Sequence, residues 1–280
     1  MSAKDIDINE IIKLVTAEVC ANFNAAGTET ADGFTPSSLA RYIDHTLLKP
    51  EASLDEIKKI CDEAKRHHFA SVCVNSCYIK FVADSLEGSG VAPCCVVGFP
   101  LGAMIPEAKA GEALCAVNSG AREIDMVINV GAAKSGDWKL VCKDIEGVVN
   151  AVRGRAIVKV IIETCLLSDE EKVKACAVSK LAGAHFVKTS TGFSKGGATV
   201  DDVKLMREAI GPEMGLKASG GVRTYEDAVN MIKAGATRLG TSSGVKLVSG
   251  GGAAEHKCVD CGACKVVCPS GRAVVLKGLC

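Results

Sequence analysis

Three lysines of this 280-residue chain stand in apolar stretches that have the length and composition of buried strands. Lys188 closes the stretch 185–188 and is followed by small hydroxyl and glycine residues, while Lys159 and Lys217 lie within similar stretches. Burying a charged side chain is expensive unless it is paired or deprotonated. We therefore predict that the three amines share one interior site. The alternative is three separate buried ion pairs that only tie strands together.

The chemistry available to such a site is that of a nucleophilic amine. A desolvated lysine beside a second cation loses its proton near neutral pH, and the neutral amine forms a Schiff base with a carbonyl compound. Lys188 and Lys217 lie on neighbouring predicted strands, so one amine would attack while the other stays charged. Asp125 stands in another apolar stretch, where its carboxylate would keep Lys159 or Lys217 charged and pass protons through water.

The elements that must position these side chains are eight strand-like runs, which alternate with helical patterns from about residue 39 to 248. Alternation of this kind over about 210 residues predicts an α/β protein with a closed (β/α)8 barrel, the TIM barrel. A doubly wound open sheet is the alternative, but no G-x-G-x-x-G turn follows an early strand. The predicted strands are Tyr42–Thr46, Ser71–Asn75, Cys94–Phe99, Glu123–Asn129, Ile157–Glu163, His185–Ser190, Leu216–Gly220 and Arg238–Thr241.

Catalytic groups of such a barrel lie at the C-terminal ends of the strands, and the loops after the last two strands commonly bind phosphate. Gly220 and Gly221 would let backbone N–H groups approach an anion closely, and Ser242 and Ser243 open the next predicted helix. The substrate is therefore predicted to be a phosphorylated carbonyl compound. No histidine cluster joins the carboxylates with ligand spacing, so we expect no metal among these residues.

The overall composition excludes several classes of function. Lysine plus arginine and aspartate plus glutamate number 33 each, which leaves no basic field for nucleic acid. The longest apolar runs are far shorter than the roughly 20 residues that a membrane helix needs. The N-terminus lacks the apolar core of a secretory signal, so we expect a cytoplasmic protein.

Seven motifs, taken in order, resemble those of the deoxyribose-phosphate aldolase family, and the resemblance covers about residues 39–248. It implies a class I aldolase that needs no cofactor. Its reaction would be the reversible cleavage of 2-deoxy-D-ribose 5-phosphate to glyceraldehyde 3-phosphate and acetaldehyde. A homo-oligomer, dimer or tetramer, is expected. The motifs are 43–50 (IDHTLLKP), 72–75 (VCVN), 97–102 (VGFPLG), 123–129 (EIDMVIN), 159–164 (KVIIET), 187–192 (VKTSTG) and 217–224 (KASGGVRT).

The resemblance also implies roles for individual residues. Lys188 would form the Schiff base, and Lys217 would favour its neutral form. Asp125 would act in proton transfer together with Lys159, and Asp44 would help to place a sugar hydroxyl. The residues that would hold the phosphate are Gly220, Gly221, Ser242 and Ser243.

The N-terminal extension, residues 1–38, combines an amphipathic helix with a linker. Residues 5–23 carry apolar side chains at helical spacing, and residues 24–38 are rich in small and polar residues. The apolar face of the helix would pack on its own domain or on a partner subunit. Alternatively, the segment resembles the encapsulation peptides that bring enzymes into bacterial microcompartments, in which case it would dock on a shell protein.

The C-terminal extension, residues 249–280, holds a glycine-rich linker and a cysteine motif. The spacing C-x2-C-x2-C-x3-C-P resembles the bacterial ferredoxin run that binds a 4Fe–4S cluster. No second run exists, so Cys280 or a neighbouring subunit is an alternative source of the fourth ligand. Four thiolates could instead bind zinc, or the thiols could be unliganded. The motif cysteines are Cys258, Cys261, Cys264 and Cys268.

A different class of function follows if the cysteine motif is the working part of the chain. The protein would then be an iron–sulfur redox or scaffold protein whose barrel is catalytically idle. Absorption near 400 nm together with electron transfer, and no aldolase turnover, would distinguish this hypothesis from a Schiff-base aldolase.

Overall fold

Eight parallel strands form a closed barrel in the computed structural model, which describes residues 35–249 and three separate N-terminal positions, Glu10, Ala17 and Val19. Each strand pairs with the next along the chain, and the last pairs with the first. The predicted (β/α)8 barrel is therefore confirmed. The strands are β1 (Ile43–Leu47), β2 (Ser71–Val74), β3 (Ala92–Val97), β4 (Glu123–Val127), β5 (Ile157–Ile161), β6 (Phe186–Lys188), β7 (Gly215–Ser219) and β8 (Arg238–Thr241).

Helices connect the strands. Three of the helices begin at a capping box, in which a hydroxyl and a carboxylate three residues apart satisfy the first N–H groups. The helices are α1 (Pro36–Leu39), α2 (Leu54–His67), α3 (Ile79–Ser85), α4 (Pro106–Asn118), α5 (Val130–Lys134), α6 (Trp138–Val152), α7 (Asp169–Leu181), α8 (Val200–Ile210), α9 (Tyr225–Lys233) and α10 (Gly244–Val248).

The main hydrophobic core lies between the strands and the helices. On β4, Ile124 and Met126 belong to this core, whereas the alternate residues Glu123 and Asp125 bind charged partners from other strands. Alternation with period two therefore places apolar side chains outward and charged side chains inside the barrel. The barrel interior is the place where the lysines meet.

The predicted strand bounds agree with the structure to within two residues, and β3, β4, β5 and β6 each end two residues earlier than expected. Ile128 and Ile162 are buried and apolar, so the sequence does not indicate that β4 and β5 end before these two residues. As a result Asn129, Glu163 and Ser190 lie in loops at the barrel mouth rather than in strands.

Both predicted extensions lie largely outside the described residues. Of the helix expected over residues 5–23, the described positions are helical, with Val19 buried in the core and Glu10 and Ala17 exposed. The cysteine motif at residues 258–268 is wholly outside them. Within the part of the chain that is described, no helix is long and apolar enough to cross a membrane.

Candidate active site

Asp125 lies at the centre of the barrel interior and binds all three lysines. Its Oδ2 atom accepts hydrogen bonds from Lys188 Nζ at 2.8 Å and from Lys217 Nζ at 2.7 Å. Its Oδ1 atom accepts one from Lys159 Nζ at 2.8 Å. The strand register produces this arrangement, because Asp125 is opposite Lys159 and Lys188 is opposite Lys217. The three amines therefore meet at one carboxylate.

A second group of charges lies beneath Asp125. Lys217 Nζ is 2.5 Å from Asp44 Oδ2, and Lys159 Nζ is 2.5 Å from Glu123 Oε2. Arg238 joins the two carboxylates, with distances of 2.5 Å to Asp44 Oδ1 and 3.0 Å to Glu123 Oε1. Sequence reasoning missed Glu123 and Arg238, because both begin a strand, whereas the catalytic groups of a barrel are expected where strands end. The alternation of side chains along a strand could have indicated Glu123, because it lies two residues before Asp125 and therefore on the same face.

The charges in this cluster fix the protonation of most of its members. Burial alone would raise the pKa of Asp125, but the three lysines together hold it well below its ordinary value. Burial would lower the pKa of Lys217, but Asp125 and Asp44 raise it above the usual range. The pKa of Lys159 is raised in the same way, chiefly by Asp125. Lys159 and Lys217 are therefore persistent ammonium groups beside Lys188.

Two buried thiols complete the surroundings of Asp125 and raise the question of a metal. Cys94 Sγ lies 3.3 Å from Asp125 Oδ1, and Cys73 Sγ lies 3.9 Å from Oδ2. One ligand atom from each of the three residues lies within 4.8 Å of the others. The three ammonium groups on Asp125 oppose the binding of a cation there. Burial also raises the pKa of Cys94 well above that of a free thiol, which makes it a poor metal ligand, whereas the hydrogen bond with Cys94 lowers the pKa of Cys73.

A cavity of about 420 Å³ opens at the barrel mouth, and Lys188 is the one lysine of the three that lines it. Lys159 and Lys217 are fully buried below, and Asp44 is fully buried with them. All four residues predicted to bind phosphate line the same cavity, together with three cationic residues that sequence reasoning did not single out. These are Gly220, Gly221, Ser242 and Ser243, with Lys49, Arg223 and Lys246.

The loops after β7 and β8 form the polar wall of the cavity. Gly220 and Gly221 have φ of +81° and +87°, and a Cβ atom on Gly220 would lie 2.9 Å from the Cα atom of Gly197. Thr241 Oγ1 donates to Val222 O at 2.8 Å and accepts from Ser243 N at 3.0 Å, so it ties the two loops together. Helix α10 has only five residues. Its dipole therefore adds less to anion binding than the sequence-based argument assumed.

The loop after β6 is held by a buried carboxylate. Glu163 has a φ of 57°, which is uncommon for a residue other than glycine. It accepts hydrogen bonds from Thr191 N at 3.2 Å and from Thr191 Oγ1 at 2.5 Å. Because Lys188 precedes this loop directly, the Glu163 contacts fix the backbone where it leaves the nucleophile candidate.

Comparisons with known proteins agree with this geometry. The model of the DeoC/LacD family aldolase matches residues 38–250. A protein from Clostridium novyi (strain NT) named deoxyribose-phosphate aldolase is 63% identical over 213 residues, covering 76% of this chain and 96% of that relative. A protein of the same name from Enterococcus faecalis is 60% identical over 212 residues, covering 76% of this chain and 96% of its own length.

A solved structure extends the likeness to three dimensions. The tetrameric deoxyribose phosphate aldolase from Aeropyrum pernix has a TM-score of 0.72 and 33% sequence identity to this chain. The match covers 89% of this chain and 97% of that one.

Proposed function

Because the chain belongs to the DeoC/LacD family of aldolases, we propose that it reversibly cleaves 2-deoxy-D-ribose 5-phosphate by a class I mechanism. The products are glyceraldehyde 3-phosphate and acetaldehyde. The single observation that carries the proposal is Lys188, which lines the cavity while bound to Asp125 beside two persistently charged lysines. Lys188 is therefore the amine of the three that can reach a substrate carbonyl and act as the nucleophile.

The covalent steps begin at the aldehyde carbon of the open-chain sugar. The neutral amine of Lys188 adds to C1, and loss of water gives a cationic imine. Removal of the proton from the C3 hydroxyl then breaks the C2–C3 bond. The bonding electrons move into the imine, which becomes an enamine, and glyceraldehyde 3-phosphate leaves. Protonation at C2 and hydrolysis release acetaldehyde and regenerate Lys188.

The proton transfers fall to Asp125 with Lys159, through water. A carboxylate with a strongly lowered pKa is a weak base while three ammonium groups surround it. The cationic imine draws the bonding electrons, which lessens the basicity that removal of the C3 hydroxyl proton requires. Asp44 lies below the cavity, and we assign it to hold Lys217 charged.

The test of this function is direct turnover. The full-length protein is expected to convert 2-deoxy-D-ribose 5-phosphate to equal amounts of the two products, without added metal. Coupled assays for glyceraldehyde 3-phosphate and for acetaldehyde measure this stoichiometry. A folded protein that gives neither product contradicts the proposal and favours the iron–sulfur or scaffold hypothesis.

The phosphate subsite makes a separate prediction. Ser242→Asp introduces a carboxylate into the cavity wall that we assign to the phosphate, so KM for the phosphorylated sugar is expected to rise about ten-fold or more. Ser242→Asn is the matched neutral control. Turnover of unphosphorylated 2-deoxy-D-ribose is expected to be equal in the two variants. An equal KM for the phosphorylated sugar would contradict the assignment.

The cysteine motif supports a proposal of its own, because its spacing is that of a ferredoxin-type ligand run. We assign a 4Fe–4S cluster to Cys258, Cys261, Cys264 and Cys268, and zinc is the second candidate. Protein purified without oxygen is expected to contain iron and sulfide and to absorb near 400 nm. The variant Cys261→Ser should lose the iron, the sulfide and the absorption. Aldol turnover should survive that substitution, since the reaction transfers no electrons. Zinc alone in the protein would favour the second candidate.

The N-terminal helix over residues 5–23 supports a proposal about location. The apolar spacing of this predicted helix, together with the linker behind it, resembles a peptide that docks on a microcompartment shell protein. The burial of Val19 in the core supports the alternative, in which the helix packs on its own domain. Deleting residues 1–30 is expected to abolish co-localisation with shell proteins while turnover remains. Unchanged co-localisation would contradict this proposal.

Oligomerisation is the remaining partner expectation. The relative from Aeropyrum pernix is described as tetrameric, and this likeness supports a homo-oligomer for this chain.

A further inference from the structure

A second pair of buried charges lies outside the catalytic cluster, beside the C-terminal ends of β3 and β4. Lys109 on α4 and Asp144 on α6 are fully buried, and Lys109 Nζ lies 2.5 Å from Asp144 Oδ2. A buried ion pair is often no more stabilising than apolar residues of the same size. Its presence between two outer helices therefore invites an explanation other than stability.

The amine of Lys109 takes the place of a hydrogen bond that β3 does not make to β4. Strand β3 ends at Val97, which is opposite Met126 of β4, so the ladder stops one residue before Val127. Lys109 Nζ donates a hydrogen bond to Val127 O at 2.8 Å, at the position where the ladder has ended. The amine thus satisfies the last carbonyl of β4, two residues after Asp125.

Helix α4 also holds the end of β3, through the carboxylate one turn later. Glu112 Oε2 accepts a hydrogen bond from Gly98 N at 2.8 Å. Gly98 has a φ of +62°, and a Cβ atom there would lie 3.0 Å from Lys109 Cε, so the lysine stem runs directly beneath this turn. Residues three apart share a helix face, so one face of α4 fixes both strand ends.

We propose that Lys109, held by Asp144, is a positioning residue for Asp125 in the aldol reaction. Its hydrogen bond to Val127 O fixes the end of β4, and so keeps the Asp125 carboxylate in contact with Lys188 and Lys217. The phosphate subsite belongs to the loops after β7 and β8, on the other side of the mouth. Loss of Lys109 should therefore affect the chemical step and leave substrate binding nearly unchanged. The inference rests on the proposed aldolase function.

The test uses a variant that removes the hydrogen bond without leaving an unpaired buried charge. The full-length double variant Lys109→Met/Asp144→Leu keeps apolar packing and is expected to unfold at a denaturant concentration close to that of the original protein. Its kcat is expected to fall about ten-fold or more, because small misplacements of a catalytic group have large effects. KM for 2-deoxy-D-ribose 5-phosphate should change less than about two-fold.

The matched control is Lys172→Met, which breaks another ion pair between outer helices. Lys172 Nζ lies 2.6 Å from Asp202 Oδ1, and the pair joins α7 to α8. Its kcat should stay within about two-fold of the original value. If the double variant fails to fold, Lys109→Gln is measured instead, since it retains an N–H donor and should keep a larger fraction of kcat than Lys109→Met.

The outcomes separate the two proposals. If the original protein shows no turnover, the proposed aldolase function itself is wrong. An active original protein, with a double variant whose kcat is unchanged, overturns the positioning role. A fall in kcat that Lys172→Met shares, or that comes with an equal rise in KM, overturns it as well.

Discussion

Replacing Lys188 by alanine is expected to abolish aldol cleavage, with a loss in kcat of more than about a thousand-fold. Lys188 is the lysine of the central cluster that lines the cavity, and the ammonium groups of Lys159 and Lys217 are buried beneath it. No other amine of the cluster can therefore reach the substrate carbonyl. Borohydride reduction in the presence of acetaldehyde should add a two-carbon fragment to the original protein, and mass spectrometry of peptides should place it on Lys188.

Lys195→Ala is the matched control, because Lys195 is an exposed lysine on the loop that follows the same strand. This variant should keep its turnover and its borohydride trapping. Trapping that persists in Lys188→Ala, on any other lysine, would contradict the assignment of the nucleophile.

Replacing Asp125 by asparagine is expected to lower the free energy of unfolding by about 3–5 kcal/mol at neutral pH, besides removing most activity. The carboxylate binds three ammonium groups, and asparagine of the same shape leaves them without their shared anion. Urea unfolding followed by circular dichroism measures the loss. Asp84→Asn removes an exposed carboxylate from its pair with Lys80 and should cost less than about 1 kcal/mol.

The same cluster determines how stability depends on pH. The pKa values of Asp44 and Asp125 are lowered in the folded protein, so their contribution is complete above about pH 4 and is lost as the pH falls below it. The pKa values of Lys159 and Lys217 are raised, so their contribution is lost as the pH rises above about 10.4. Asp125→Asn should flatten the acid side of this profile. An unchanged acid slope would show that Asp125 does not carry it.

The sequence supports the barrel strongly because short, largely apolar runs alternate eight times with helical patterns. The order of the strands also predicts that the two amines lie near each other, since Lys188 and Lys217 stand at corresponding places in neighbouring strands. Periodicity does not indicate how deep in the barrel each charged side chain lies. That Asp44 helps to place a sugar hydroxyl stays a prediction, and in the structure its carboxylate lies buried against Lys217 and Arg238. The depth at which each charged side chain lies depends on barrel stagger, which no short stretch of sequence encodes.

Lys109 illustrates a different limit of sequence reasoning. It stands in a helix among alanine, glycine and glutamate residues, where a lysine is ordinarily an exposed, solvated side chain. The structure buries it completely, because α4 and α6 pack closely over the ends of β3 and β4. Only the packing of elements distant in sequence reveals its partners, Asp144 and Val127 O.

The division between strands and loops at the cavity has a consequence for how such an enzyme can change. The charged cluster comes from the barrel strands, whereas the residues assigned to the phosphate come from the loops after β7 and β8. Loops tolerate substitution better than the strands they join. Selection, natural or in the laboratory, can therefore retune which aldehydes are accepted by altering those loops, while the amine and its charged neighbours are inherited intact.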